Sequence, residues 1–324
     1  MNGVADPLLR IMNLKTYYRT SAGLVRAVDG VSFEVYEDET FCVVGESGCG
    51  KSTLALSIIR LVPYPGEIVD GKIIYKGVDL LKLPESEMRK IRGREIAMIF
   101  QNPMNSLNPV FTIGFQIAEA PIIHFNMDSK RAWRKAIELI AKVRMSDPDV
   151  RARNYPHELS GGMRQRAMIA MMISCGPKLL LADEPTTSVD VTVQAQLLKL
   201  LMDIKKERRM SIILITHNFG LVAEVCNRVA VMYAGKIVEL GPVREVFRNP
   251  MHPYTRGLMK CLPIGTKRKR QLYAIPGQPP NLINPPPGCR FHPRCPYMME
   301  KCRKEDPPLT EVEPNHYVAC HLHR

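Results

Sequence analysis

Residues 45–53 read GESGCGKST, and the reading of this stretch decides the fold. The spacing is G-x-x-x-x-G-K-[ST], a glycine-rich loop that needs a strand before it and a helix after it. Gly45, Gly48 and Gly50 let backbone N–H groups turn inward around the phosphates of a nucleotide such as ATP. Lys51 reaches for the β- and γ-phosphates and the Ser52 hydroxyl for Mg²⁺. Ser47, Cys49 and Thr53 complete the candidate nucleotide contacts. The flanks supply the required context: FCVV (41–44) is a short apolar run that reads as a buried strand. STLALSIIRL (52–61) has helical spacing, with Leu54, Ile58 and Leu61 on one face. The phosphates then sit at a helix N-terminus, where the dipole and free N–H groups favour anions.

The composition of the chain is that of an ordinary soluble globular protein. Its 324 residues are enough for one large core or two smaller ones. Hydrophobic content of 45% and charged content of 24% are those of an ordinary globular protein, and no apolar run approaches a membrane span of roughly 18–20 residues. MNGVADPLLR has neither the basic start nor the apolar core of a signal peptide. With no export signal, nine cysteines point to thiols or metal ligands in a reducing cytosol rather than to disulfides. The net charge of +13 is mostly scattered, KRKR (267–270) being the one tight run. That favours a solubilising surface, with contact to an anionic membrane face as the functional alternative. No aromatic-basic stacking motif accompanies the charge, so no nucleic-acid partner is expected.

Strand-like runs recur along the chain. LLRIMNLKTYY (8–18) and AVDGVSFEV (27–35) flank a polar turn and predict an antiparallel β subdomain. GKIIYKG (71–77), IAMIF (96–100), LLLAD (179–183), SIILIT (211–216) and VAVMYAGKIVEL (229–240) follow, the last as a hairpin over Ala234-Gly235. Helical patterns fall at about 129–145, 161–175, 191–209 and 219–227, and alternation of this kind predicts a mainly parallel α/β sheet. Residues 103–176 read as helical only, an inserted helical subdomain. The expected division is 1–260 for the nucleotide-binding domain and 261–324 for a small cysteine-rich C-terminal extension, which opens on the proline-rich AIPGQPPNLINPPPG (274–288).

Two further segments carry chemistry. LLLADEP (179–185) is an apolar strand that ends in two carboxylates, which is costly unless a cation waits there. Asp183 is the candidate Mg²⁺ ligand and Glu184 the group that polarises a water for attack on the γ-phosphate. His217, after SIILIT, is placed to reach the γ-phosphate or that water, and Gln101, after IAMIF, offers an amide to Mg²⁺ or water. LSGGMRQR (159–166) is a second anion site: Ser160 reads as a helix N-cap, and Gly161 and Gly162 permit close backbone approach. One chain has no spare phosphate for it once the first loop is filled. The economical solution is a dimer in which each such helix covers the ATP bound by the other subunit, with Asp190 at the interface.

Taken in order, these motifs resemble an ABC transporter ATPase subunit over roughly residues 8–260. The resemblance implies a P-loop NTPase core. The family's P-loop, glutamine loop, signature, paired carboxylates, interface aspartate and switch histidine fall at 45–53, Gln101, 159–163, Asp183 with Glu184, Asp190 and His217. It also implies an aromatic that stacks on adenine, for which Tyr18 is the candidate and Tyr17 the alternative. TTSVD (186–190) departs slightly from the commoner pattern of alanine and leucine before the aspartate. FQNPMNSLNP (100–109), NPMHPYTRGLMKCLP (249–263) and the cysteine-bearing tail are similar to the dipeptide/oligopeptide importer branch. That branch implies two transmembrane permease subunits, a second ATPase subunit, identical or related, and an extracytoplasmic substrate-binding protein. The ATPase would sit at the cytoplasmic face of the membrane, with Pro103, Asn105 and Asn108 in the loop that meets the permease. Oligosaccharides or nickel are alternative cargoes, and a soluble non-transport ABC ATPase is the alternative function.

In the tail, Cys289, Cys295, Cys302 and Cys320 are spaced x5, x6 and x17. Four thiolates suit an Fe–S cluster or tetrahedral Zn²⁺, and a metal would stabilise a segment with little apolar content. Zinc sites usually contain C-x2-4-C pairs, and none occurs here. Free thiols remain a third reading, and His292, His316, His321 and His323 are alternative ligands. The family resemblance favours a [4Fe–4S] cluster. Cys42, Cys175, Cys226 and Cys261 lie in apolar segments and read as packing residues. Cys49 lies near a helix N-terminus, which lowers a thiol pKa and suggests a redox-sensitive loop.

Overall fold

The computed structural model describes residues 6–101, 106–185, 191–261 and 273–323, without the side chains of residues 191 and 192. The chain divides into two compact units. Met1–Tyr36, Thr40–Leu81 and Ile215–Arg324 form the first; Glu37–Glu39 and Lys82–Leu214 form the second.

The first unit contains two sheets. Strands β1 (Leu9–Thr20), β2 (Gly23–Val35), β4 (Gly66–Tyr75) and β5 (Val78–Asp79) make an antiparallel sheet in the order β2-β1-β4-β5. Its register puts Ile11 opposite both Phe33 and Ile73, and all three are buried. Alternating apolar residues therefore line one face, as the period of two requires. The other sheet is built on β3 (Thr40–Val44), buried at every residue and parallel to β9 (Arg228–Tyr233). A strand apolar throughout suits a parallel sheet covered on both faces. β9 turns into β10 (Lys236–Pro242) over Ala234 and Gly235, whose φ values of 47° and 83° are those of a tight hairpin.

The tail does not form a separate lobe at this edge. β12 (His316–Val318) pairs antiparallel with β10, and β11 (Thr310–Glu313) pairs with β12, giving the order β11-β12-β10-β9-β3. The expected mainly parallel sheet gains antiparallel strands at this edge, first from the β9–β10 hairpin and then from the extension.

In the second unit β6 (Ile96–Ile99) runs parallel to β7 (Leu179–Asp183), and β8 (Ser211–Ile215) lies on the other side of β7. Between β6 and β7 come helices over Ile113–Phe125, Ser129–Lys142, Pro148–Arg153 and Gly161–Met172, with no strand among the described residues. Ser129–Lys142 shows why they pack: Asp128 caps its first turn by accepting from the Arg131 N–H, and Ala132, Ala136, Leu139 and Ile140 form the buried stripe.

Candidate functional site

The first unit supplies the phosphate loop. β3 ends at Val44, the loop follows, and helix α1 spans Lys51–Ile58. The expected helix stops short of Leu61, which is 44% exposed. Gly50 caps the helix at φ 106°, and a Cβ there would lie 2.0 Å from the Ala27 carbonyl oxygen. A Cβ on Gly45 would lie 2.2 Å from that of Met232. The glycines are therefore required both by conformation and by close approach of neighbouring backbone. Lys51 Nζ donates to the carbonyls of Gly45 at 2.8 Å and Glu46 at 2.9 Å. These oxygens stand where a buried ammonium needs acceptors. Ser47, Gly48 and Ser52 are exposed at the loop.

Tyr18 and Tyr17 separate clearly. The Tyr18 hydroxyl lies 3.3 Å from Thr53 Oγ1, at the start of α1. Tyr17 instead donates to Asp29 Oδ1 at 2.6 Å, and burial followed by that hydrogen bond pushes its phenol up to about 12. His217 is exposed in this unit, just after Thr216, whose N–H donates to the Val43 carbonyl at 3.2 Å. The residue before His217 is thus anchored to the strand that feeds the phosphate loop. Asn218 then caps the following short helix, accepting from the Gly220 and Leu221 N–H groups.

The expectation for Cys49 is reversed. The residue is 5% exposed, and burial pushes its thiol up, with the nearby Lys51 ammonium only partly opposing. Position at a helix start loses to desolvation here. A second correction concerns Cys42 and Cys226, read as unpaired packing residues: they are disulfide-bonded, with Cα atoms 6.1 Å apart. The parallel pairing of Cys42 with Val229 brings Cys226 beside β3.

The second unit holds the carboxylates and the signature. Asp183 ends β7 and is 4% exposed; Glu184 follows at φ 44°. Gln101 Nε2 donates to Glu184 Oε2 at 3.1 Å, so the glutamine loop and the candidate base are in contact. Ser160 caps the helix Gly161–Met172, accepting from the Met163 N–H at 3.4 Å. A Cβ on Gly161 would meet nothing within 4 Å, so its backbone is open to an approaching ligand. Gln165, to which the motif alone gave no role, is buried and donates to the Pro185 carbonyl at 2.7 Å. It ties the signature helix to the end of the carboxylate strand. Asp190 lies outside the described residues, as do Pro103 and Asn105.

The cysteine tail belongs to the first unit. Cys289, Cys295, Cys302 and Cys320 are free thiols, and Cys302 and Cys320 are buried. Among the described residues no three His, Cys, Asp or Glu side chains converge tightly enough to hold a single metal ion. Cys289 nevertheless lies within electrostatic reach of the other three. Burial pushes the Cys289, Cys295 and Cys320 thiols up, and the backbone N–H groups of Phe291, Tyr297 and Leu322 partly oppose it. Each N–H stands two residues past its cysteine, a pattern that stabilises thiolates. Burial pushes the uncharged Cys289 thiol up to about 12. The histidines are engaged elsewhere: His292 Nδ1 with the Cys289 carbonyl, His316 with Glu239, His321 with the Glu305 carbonyl and His323 with the Met251 carbonyl.

The strand–loop–helix order and the sheet around it define a P-loop NTPase. Among solved structures, the dimeric post-hydrolysis state of the ATP-binding cassette MJ0796 bound to ADP and Pi matches with a TM-score of 0.66 at 24% identity, over 73% of this chain and 99% of that one. CbiO1 of Clostridium perfringens, part of the ABC transporter complex cbiONQ, matches with a TM-score of 0.64 over 76% of this chain and 92% of its own. The sequence profile described as ABC transporter matches residues 28–187, and the profile described as oligopeptide/dipeptide transporter, C-terminal region, matches 238–302. The probable peptide ABC transporter ATP-binding protein y4tR of Sinorhizobium fredii is 50% identical over 98% of this chain and 96% of its own. The dipeptide transport ATP-binding protein DppD of Bacillus subtilis is 47% identical over 98% and 95%. The chain belongs to the ABC transporter family, as an ATP-hydrolysing subunit. No helix among the described residues is long and apolar enough to cross a membrane.

Proposed function

We propose that this chain is the ATPase subunit of an importer of di- or oligopeptides. The observation that carries the reading is the C-terminal match at 238–302 to the oligopeptide/dipeptide transporter region, beyond the cassette itself. Relatives named for peptide transport, similar over nearly the whole chain, support it. The phosphate loop with Lys51 and Ser52 holds ATP and Mg²⁺, and Tyr18 stacks on adenine. Asp183 and Gln101 complete the Mg²⁺ contacts, Glu184 polarises the attacking water, and His217 senses the γ-phosphate. Ser160, Gly161 and Gly162 cover the ATP of a second ATPase subunit, with Asp190 at that interface. ATP closes the pair, and loss of the γ-phosphate contacts lets it open. Transport follows only if the two states of the permease pair bind the closed dimer unequally. The complex sits at the cytoplasmic face with two permease subunits and takes its substrate from an extracytoplasmic binding protein.

Cys289, Cys295, Cys302 and Cys320 hold a [4Fe–4S] cluster in this reading. Electrostatic proximity among the four thiols supports it, and a cluster accepts thiolates spread more widely than one ion does. When bound, the cluster supplies a covalent cross-link between segments of the extension.

The test is the ATPase rate of the complex reconstituted in membranes with its binding protein, challenged with peptides, oligosaccharides and nickel in turn. Stimulation by peptides alone is expected. Stimulation by sugars or nickel instead would replace the cargo. A rate unaffected by every cargo and equal to that of the isolated subunit would move the chain to a non-transport ATPase.

A further inference from the structure

Glu46, the second residue of the phosphate loop, is held at three points. Its N–H donates to Tyr254 Oη at 2.9 Å, its carbonyl accepts from Lys51 Nζ at 2.9 Å, and its carboxylate meets Arg294. The third anchor comes from the extension: Arg294 closes the short turn His292–Arg294, between Cys289 and Cys295. The contact is two-pronged, Nη1 to Oε2 at 2.8 Å and Nη2 to Oε1 at 3.1 Å. Nε donates to the Pro276 carbonyl at 2.9 Å, Nη2 also to that of Ile275 at 3.3 Å, and Nη1 to Tyr233 Oη at 3.3 Å. The guanidinium carbon lies 5.7 Å from the centre of the Tyr233 ring. The Arg294 side chain is 6% exposed and that of Glu46 25%. Burial works against the charge, but the bonds to Glu46 and Tyr233 outweigh it and hold the guanidinium above its ordinary pKa. Pro279, Pro280 and Leu282 of the extension line a cavity of about 30 Å³ with Glu46, Ser47 and Gly48.

A planar guanidinium with so many fixed acceptors has one position, and a bidentate pair transmits that position to its carboxylate. Gly45 on one side of Glu46 has no side chain, and Ser47 and Gly48 on the other are exposed. Glu46 is therefore where the loop can be gripped. We propose that Arg294 is a positioning residue for the phosphate loop: through Glu46 it holds the loop in the form that receives ATP. The proposal rests on the ATPase reading of that loop. Linkage makes it reciprocal, so bound ATP steadies the turn that carries Cys295.

The test is titration of the full-length protein with a fluorescent ATP analogue, for Arg294→Gln, Glu46→Gln and the double variant, alongside thermal unfolding. Each single change is expected to weaken binding about tenfold. The double variant is expected to lose little more than either single one, because both break one contact. In steady state, KM for ATP is expected to rise by more than kcat falls. Arg294→Lys, able to grip one oxygen at a time, is expected to lie between. A lowered unfolding temperature with wild-type nucleotide affinity in the glutamine and lysine variants would make Arg294 merely structural and overturn the proposal. So would additive losses in the double variant. Failure of the unmodified protein to bind the analogue would strike the ATPase reading itself.

Discussion

Gln101 and Glu184 stand 83 positions apart and meet side chain to side chain, Nε2 to Oε2, at 3.1 Å. The amide nitrogen donates, so the glutamate oxygen it touches accepts. Glu184→Gln keeps the shape and removes the basicity. ATP binding is expected to persist while turnover falls on the order of 10²-fold or more. Phosphate release under saturating ATP measures this, and an ordinary rate would sink the role given to Glu184.

Gly50 offers a test of the loop that is independent of the chemistry. At φ 106°, with a carbonyl oxygen 2.0 Å from any added Cβ, an alanine must move backbone. Gly50→Ala is expected to destabilise the first unit by about 1–3 kcal/mol or more and to abolish nucleotide binding. Urea midpoints and ATP titration read the two effects. Wild-type behaviour in both would show that the loop is not held as described.

The extension is expected to yield brown, oxygen-sensitive protein with about four iron atoms per chain after anaerobic purification. Cys302→Ser should lower the iron content and bleach the colour. Colourless, zinc-loaded wild-type protein would replace the cluster with a zinc site.

Stability should depend on pH through two buried histidines of opposite sign. Burial pushes His252, 1% exposed, down to about 4. Its unfolded pKa is about 6.5, so between these values the unfolded chain binds the extra proton. The stability it contributes is whole above about pH 6.5 and is lost as pH falls toward 4, about 3 kcal/mol in all. For His316, burial pulls the other way, but the 2.8 Å bond to Glu239 and that residue's charge win and raise the pKa. Its contribution is whole below about 6.5 and fades as pH rises through the raised value. His252→Asn retains an N-cap for the Tyr254 N–H and should flatten the acid limb; His316→Gln should flatten the alkaline one. Urea midpoints across pH decide, and an unaltered acid limb in His252→Asn would remove that histidine from the account.

Local pattern carried the central strands well. LLLAD spans the same residues, 179–183, as the observed strand, because a run buried on both faces is apolar at every position. The Ala234-Gly235 hairpin was equally legible, since turn chemistry is local. The helix Ile113–Phe125 was hidden within a broadly helical stretch because it contains Gly114 and Pro121 and leaves Phe115, Ile123 and Phe125 exposed, so no polar stripe marks its outer face. What escaped entirely was long-range. The HYV strand at 316–318 is three residues long and is held by pairing with β10 on one side and β11 on the other. The grip of Arg294 on Glu46 spans 248 positions, and that of Cys42 on Cys226 spans 184. For Cys49 the local signal was present and outvoted, because neighbours far away in sequence bury it.

The pairing of the 316–318 strand with β10 bears on how this protein can be handled. Truncation near residue 261 looks harmless on the motif map, since every candidate nucleotide contact lies before it. Such a cut would strip the outer strands and leave β10 with a bare row of amide and carbonyl groups facing water. It would also leave Glu239, fully buried on that strand, without its imidazole partner. Sticky, filament-prone preparations of the shortened chain are the foreseeable outcome, and the last sixty-odd residues act as a selvedge that keeps the weave from unravelling into its neighbours.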